Sequence, residues 1–379
     1  MKPKLDQENP VYLYLQLSDL LRKQVAKLPD GHRFHTDREI CRLFKVSQPT
    51  ARSALAILVK ERLLKRISSR GTFVQKGAGN TIKRKSMAIG VISPLESDYP
   101  HVLGIKGIEN VAGKYGYHII LSDFGLNEES NEIAGYEKLP ELVESLKRRK
   151  VDGIVIISLF KKEDYEAPQC LQTPDVPFVL INWSITKPAI SSVIADYEDG
   201  AYKAVLHLLD LGYKTIGFIG GPKDRKANID RFNGYKKALA ERKIEYKPEF
   251  VYPENPDFDE KSGYETTTKI LRLKELPRAI FAVTDALALG ALNAIKDSGL
   301  KVPEDIALVG FDNLPLSTHT RPTLTSVTQP YYELGVNAMT LLQEKIAGNN
   351  NYPVKMLIPC NLVIRESCGY SDKNGAKNG

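Results

Sequence analysis

No stretch of this 379-residue chain stays apolar for the roughly 20 residues that a bilayer-spanning helix requires. Its opening, MKPKLDQENP, has no apolar h-region, so no secretory signal is expected. Cysteine is scarce: Cys41, Cys170, Cys360 and Cys368 are scattered without CxxC spacing. That argues against a disulfide framework or a zinc site, and it fits a reducing, cytoplasmic setting. The six histidines are equally dispersed. His32 and His35 lie close together but have no third ligand nearby, so no metal is expected. Catalytic signatures are missing as well. There is no GxxxxGK[ST], no GxSxG and no HExxH, and GFIGG at Gly217–Gly221 lacks GxGxxG spacing. Carboxylates and histidines do not cluster. The expectation is a protein without enzymatic activity and without a cofactor.

What is present is a division of charge. Residues 1–86 carry 19 Lys and Arg against 7 Asp and Glu, and the remainder 34 against 39, so the net +7 divides into +12 and −5. A basic head on a mildly acidic body implies that the head alone meets a polyanion. The basic residues sit among patterned apolar ones, which argues against a mere solubilising tail.

In the head, Leu13, Leu17, Leu20 and Leu21 form a helical stripe within Val11–Lys27, ended by Pro29, Asp30 and Gly31. Thr36 and Glu39 make an S/T-x-x-E capping box for a second helix whose buried face would be Ile40, Leu43 and Phe44. Ser47 is placed to cap a third helix, with Pro49 tolerated in its first turn. Ala51, Ala54, Leu55 and Leu58 give that helix its inner face, which leaves Gln48, Thr50 and Arg52 outward near its start. This is the geometry of a helix-turn-helix, whose second helix enters the major groove. Gln addresses adenine and Arg guanine through paired hydrogen bonds. Leu64–Ile67 and Thr72–Gln75 then read as two strands around a Ser-Arg-Gly turn, a wing that brings Arg66 and Arg70 to the phosphates or the minor groove.

TDREICRLFKVS, QPTARSALAILVKERLL and RGTFV, in that order, resemble the GntR family of winged helix-turn-helix regulators over about Val11–Val74. The resemblance implies that Arg38 and Arg52 contact operator DNA, with Ser47 and the wing's Gly71 at the positions the motif uses. The chain departs from the family at Gln48, where Arg is usual, and at Ser69, where Gly is usual, so no operator sequence is carried over.

KGAGNTIKRKS, through Ser86, is Gly-containing, basic and unpatterned, and is read as a linker over residues 77–86 between a head at 1–76 and a body at 87–368. Its KRK cluster, Lys83–Lys85, suits either DNA backbone or a solvated hinge. Residues 369–379 are expected to be a disordered tail. Beyond Ser86 the period changes. Short apolar runs begin at Met87, His118, Asp152, Pro177, Thr215, Ala279 and Ile306, separated by amphipathic helices. Such alternation indicates parallel sheets covered on both faces, and the run is long enough for two doubly wound lobes. Ligands in these folds sit off the carboxyl ends of the strands. Asp285 follows one strand directly, Arg231 is placed at a helix start, Phe258 lies in a polar loop, and Trp183, the single tryptophan, follows PFVLIN. A carboxylate, a guanidinium and aromatic rings suit a sugar. Each also has a structural reading: Asp285 as a helix cap, Arg231 as an ion-pair partner of Asp230 or a core carboxylate, Phe258 and Trp183 as core.

The body resembles the effector domain of the LacI/GalR family, which has the periplasmic sugar-binding-protein fold. The resemblance runs from about Ser86 to Ser367 and rests on RFNGYKKAL, AVTDALALGALNAIKDSGLKVPEDIALVGFDN and PTLTSVTQPYYELG among others. It implies that Arg231 and Asp285 hydrogen-bond an effector on which Phe258 stacks. Trp183, Gln329, Ser93, Asp98 and Tyr99 are further candidates, and such domains dimerise in the family. LacI-type proteins place their own helix-turn-helix and a hinge helix ahead of the body, so the head here is a departure. Together these readings imply a repressor that binds double-stranded operator DNA as a homodimer and answers to a small effector. A sugar is the first choice and a purine the second. A transport-type sugar-binding protein and an enzyme on a Rossmann-like scaffold are the alternatives.

Overall fold

The computed structural model describes residues 13–60, 63–67, 70–75, 86–94, 99–124, 138–157, 168–172, 176–185, 189–350 and 352–370. The expected linker lies outside this set up to Lys85, as do Asp98, Ser69 and the tail from residue 371. The chain divides into two compact units, Met1–Ser86 with Glu344–Tyr352, and Met87–Gln343 with Pro353–Gly379.

In the first unit, α1 (Leu13–Val25), α2 (Asp37–Phe44) and α3 (Gln48–Lys60) precede an antiparallel pair, β1 (Leu64–Ile67) and β2 (Gly71–Val74). Leu17, Leu21, Ile40, Ala51, Ala54, Leu55, Leu58, Leu64 and Val74 form one buried cluster. The helical stripes of α1 and α3 therefore face inward as their spacing requires. Leu43 does not: it is 49% exposed, and Ile40 alone on α2 is fully buried. An eight-residue helix turns too few side chains inward to bury three consecutive apolar positions of its stripe.

The second unit is two α/β lobes. The elements run β3 (Ala88–Ser93), α4 (Tyr99–Lys114), β4 (His118–Asp123), α5 (Leu139–Arg148), β5 (Gly153–Ile157), α6 (Gln169–Gln172), β6 (Phe178–Ile181) and β7 (Ser192–Asp196). They continue with α7 (Tyr197–Asp210), β8 (Ile216–Ile219), α8 (Lys226–Glu241), β9 (Val251–Tyr252), α9 (Glu260–Leu271), β10 (Ala279–Ala282), α10 (Asp285–Asp297) and β11 (Ala307–Asp312). Last come β12 (Thr325–Thr328), α11 (Tyr331–Ile346), β13 (Lys355–Pro359) and β14 (Asn361–Val363). One sheet has the order β4-β3-β5-β6-β7-β13 and is parallel throughout. The other, β9-β8-β10-β11-β12-β14, is parallel except for its edge strand β14. Central strands such as β5 and β10 are buried at every residue, because helices cover both faces.

The chain passes between the lobes three times: from β7 into α7 at Asp196, from β12 into α11 through Gln329 and Pro330, and from β13 into β14 at Cys360. These passages set the floor of a cleft between the two sets of strand ends.

Candidate DNA-reading surface and effector cleft

The capping box at α2 is formed in full. Thr36 Oγ1 accepts from the Glu39 amide at 3.3 Å, and Glu39 Oε2 accepts from the Thr36 amide at 2.7 Å. Those bonds hold the Glu39 carboxyl below its ordinary range. Lys45 ends α2 in the left-handed region, φ 53°, and Ser47 Oγ accepts from the Thr50 amide at 3.4 Å to start α3. The turn thus fixes α3 against α2 and leaves Ser47, Gln48 and Arg52 exposed, with Thr50 half-buried. Arg38 is exposed on α2, and Arg66 and Arg70 are exposed on the wing, where Gly71 takes φ 111°. Two of the cations are not independent of each other. Asp37, the first residue of α2, holds Arg66 Nη2 at 2.7 Å and lies 3.8 Å from Arg52 Nε.

In the second unit the cleft between the lobes encloses about 780 Å3. Four of the expected residues line it: Arg231, Phe258, Trp183 and Gln329. Arg231 is not at a helix start. The helix α8 begins at Lys226, a turn earlier, so Arg231 is 3% exposed inside it. Its Nη1 donates to the Val283 carbonyl at 2.7 Å and its Nη2 to Asp312 Oδ1 at 3.2 Å. The guanidinium carbon stands 4.0 Å from the Phe311 ring centre and 4.8 Å from that of Tyr197. Asp230 pairs with Lys226 instead. Gln329 donates to the same Asp312 oxygen. Asp312 therefore joins a side chain of the second lobe to one at the second inter-lobe passage. Burial beside this pair pushes the Cys360 thiol at the third passage up to about 12.

Phe258 packs its ring on the backbone of Gly221, where a Cβ would come within 2.1 Å of the ring. Asn228 holds that backbone from beneath. Its Oδ1 accepts from the Gly221 amide at 2.9 Å, and its Nδ2 donates to the Gly221 and Pro253 carbonyls at 3.2 and 2.9 Å. Trp183 is 3% exposed and belongs to the first lobe's core cluster while one part of it meets the cleft.

Asp285 and Ser93 fall elsewhere. Asp285 is fully buried and is not part of the cleft lining. Nor is it the helix cap, since Thr284 Oγ1 accepts from the Leu287 amide. The Asp285 carboxyl accepts from the Leu314 amide at 2.7 Å and from the Ser326 hydroxyl, behind a wall that includes Leu314, Pro315 and Leu316. Burial, reinforced by the Asp312 charge, pushes it up to about 8. Ser93 is likewise buried, donates to the Pro94 carbonyl at 3.1 Å and is outside the lining. Tyr99 opens α4, and its side chain lies outside the described residues. The sequence reading missed Asp312, Asn182, Tyr197 and Tyr331, all in the lining. Asp312 ends an apolar strand in GFDN as Asp285 follows one in AVTD, so the same signal pointed to both.

The chain resembles known proteins in both units. Residues 13–74 match the gntR family of bacterial regulatory proteins, and residues 205–368 match the periplasmic binding protein-like domain. Catabolite control protein A of Priestia megaterium is 36% identical over 80% of this chain and 87% of its own length. The chain belongs to the LacI-type family of DNA-binding transcriptional repressors, carrying a GntR-type head. The repressor CytR of Escherichia coli is 29% identical over 88% of this chain and 96% of its own. Among solved structures, a complex of the regulator CelR with cellobiose covers 85% of this chain and 92% of its own at 26% identity and a TM-score of 0.64. The lac repressor dimer bound to operator and an anti-inducer covers 75% of this chain and 94% of its own, at 26% identity and a TM-score of 0.62. Among the described residues no helix is long and apolar enough to cross a membrane, and no group of side chains is arranged to hold a metal.

Proposed function

We propose that this repressor acts in the cytoplasm as a homodimer, without enzymatic activity, and that a monosaccharide or short oligosaccharide in the cleft controls its hold on a two-half-site operator. The observation that carries the effector reading is the Arg231–Asp312–Gln329 cluster at the cleft floor, overlooked by Phe258 and Trp183. Fixed charged groups bond vicinal hydroxyls in pairs, and rings cover the apolar face of a sugar. The bound cellobiose of the similar CelR structure supports the same choice. The charges in the lining also nearly balance. Asp196, Glu198, Asp230, Asp257 and Asp312 face Arg225, Lys226, Arg231 and Lys355, which favours a neutral ligand over a phosphorylated one.

In the head, Gln48, Thr50 and Arg52 read base edges, while Arg38, Arg66 and Arg70 meet phosphate, with Ser47 and Gly71 setting the turn and the wing. The head at 1–76, linker at 77–86 and body at 87–368 then divide reading from sensing. A ligand that favours the closed lobes shifts the population of one arrangement over another, and only a difference in affinity between them does so. Thermal unfolding followed by the fluorescence of Trp183 tests the ligand class against panels of pentoses, hexoses, disaccharides and purines. Stabilisation by a sugar, together with weakened binding to a duplex selected from a randomised pool, is expected. Stabilisation by purines alone would replace the sugar reading, and selection of no duplex would remove the operator reading.

A further inference from the structure

The two arginines that Asp37 faces, Arg66 through a hydrogen bond and Arg52 at 3.8 Å, belong to different reading elements. Arg52 is on α3, the helix offered to the major groove, and Arg66 is on β1, the first strand of the wing. From the first residue of α2, Asp37 Oδ1 accepts a hydrogen bond from Arg66 at 2.7 Å, while its Oδ2 lies 3.8 Å from Arg52 Nε, close enough for charge attraction but not for a hydrogen bond. Its side chain is one-fifth exposed, while those of Arg66 and Arg52 are 43% and 69% exposed. The acid is therefore set behind two cations that remain open to solvent. It faces Arg52 through Nε, which leaves the Nη1/Nη2 edge free, the edge that bonds guanine O6 and N7 together.

We infer that Asp37 is a specificity-determining residue of this head, a fixed anion that orients Arg52 and Arg66 and suppresses their attraction for DNA of arbitrary sequence. This rests on the reading of the head as DNA-binding. Two exposed arginines on flexible stems would otherwise follow any phosphate within reach, and counterion release would reward every duplex equally. With Asp37 between them the pair presents a net charge of one rather than two. A phosphate that approaches either guanidinium meets the carboxylate's repulsion, whereas an aligned guanine edge meets a guanidinium already held in place.

The test uses the full chain with two duplexes of equal length, one selected by the wild-type chain from a randomised pool and one of random sequence, over a series of salt concentrations. Replacing Asp37 with Asn keeps the shape and removes the charge. For Asp37→Asn, affinity for the random duplex is expected to rise about five- to tenfold near physiological salt, and its log–log salt slope to steepen by about one. The ratio of selected to random affinity should fall by at least that factor. Asp37→Glu, which keeps the charge, should retain the wild-type slope. Circular dichroism and melting of each variant separate these effects from loss of fold. An unchanged slope and ratio in a folded Asp37→Asn variant would overturn the inference, as would equal weakening on both duplexes with the slope unchanged. If the wild-type chain selected no duplex at all, the DNA-binding reading itself would fail, which is a distinguishable result.

Discussion

Asp285 offers the sharpest test of the cleft as described, because its sequence position suggests ligand contact while its geometry places it behind the wall. The carboxyl is fully buried and its pKa is pushed up to about 8, first by burial and then by Asp312. An unfolded aspartate titrates near 4, so between about pH 4 and pH 8 the folded chain holds a proton at this site that the unfolded chain has lost. Stability from this group is present in full below the unfolded value and declines as pH rises towards the folded one. The slope is roughly 1.4 kcal/mol per pH unit, or roughly 3 kcal/mol between pH 5 and pH 7. Burial holds the His207 imidazole below its ordinary value, which acts in the opposite sense, so the comparison must be made against a variant rather than across pH alone. Asp285→Asn is that variant. Its amide oxygen still accepts from Leu314 and its NH2 donates to Ser326, with no proton to lose. In urea unfolding followed by Trp183 fluorescence, Asp285→Asn should gain on the wild type steadily from pH 5 to pH 7. Asp285→Ala should instead start roughly 3 kcal/mol below the wild type at pH 5, because two buried donors are left without an acceptor, and should close that gap towards pH 7, since it too has no proton to lose. A wild type that gained on Asp285→Asn as pH rose would mean that the carboxylate is ionised in the fold, and the burial argument would be wrong.

Substitution of Gly221 by Ala should lower effector affinity while barely moving stability, since the new methyl drives the Phe258 ring out of its seat; ligand-induced melting shifts would measure it. Gly290→Ala should destabilise by about 3 kcal/mol, because its Cβ would sit 1.9 Å from the Glu260 carbonyl where α9 and α10 meet. Gly113→Ala, on α4 with nothing within 4 Å, should stabilise by up to about 1 kcal/mol, and urea midpoints decide both signs. Arg231→Lys should abolish the response of DNA binding to effector, since an ammonium cannot bond Val283 and Asp312 together from between two rings. Gel shifts with and without the stabilising ligand measure that loss.

The sequence was most legible where one local pattern decides the outcome. The Thr36–Glu39 box, the α3 face through Ala51, Ala54, Leu55 and Leu58, and seven apolar strands all follow from spacing and composition alone. Strands β7, β9, β12, β13 and β14 were not visible in that way. TSVT and SSVIAD are short and rich in Ser and Thr, and β13 alternates exposed and half-buried residues at a sheet edge, so neither continuous apolarity nor full burial marks them. Where Asp285 turns was not legible, for a related reason. A carboxylate after a strand signals that strand ends meet there, but not whether the oxygens turn to the cleft or to the layer beneath it. That choice is made by Ser326 and Leu314, 41 and 29 residues further on, which no local window contains.

The position of Phe311 gathers the three inter-lobe passages around one arginine. Its ring lies beneath the Arg231 guanidinium and against α7 at Gly200, where a Cβ would come within 3.1 Å of the ring and 2.8 Å of Cys360. Tyr197 at the first passage, Gln329 at the second and Cys360 at the third all pack or bond within this one neighbourhood. A rotation of the lobes about those three passages would move a group at their meeting point little and everything at the cleft mouth far. Under the proposed function, a ligand bonded there would gain its first contacts in either arrangement and its remaining contacts only when the lobes meet. That difference in contacts would be the free energy by which binding biases the arrangement, and it would vanish for a ligand too short to reach both walls.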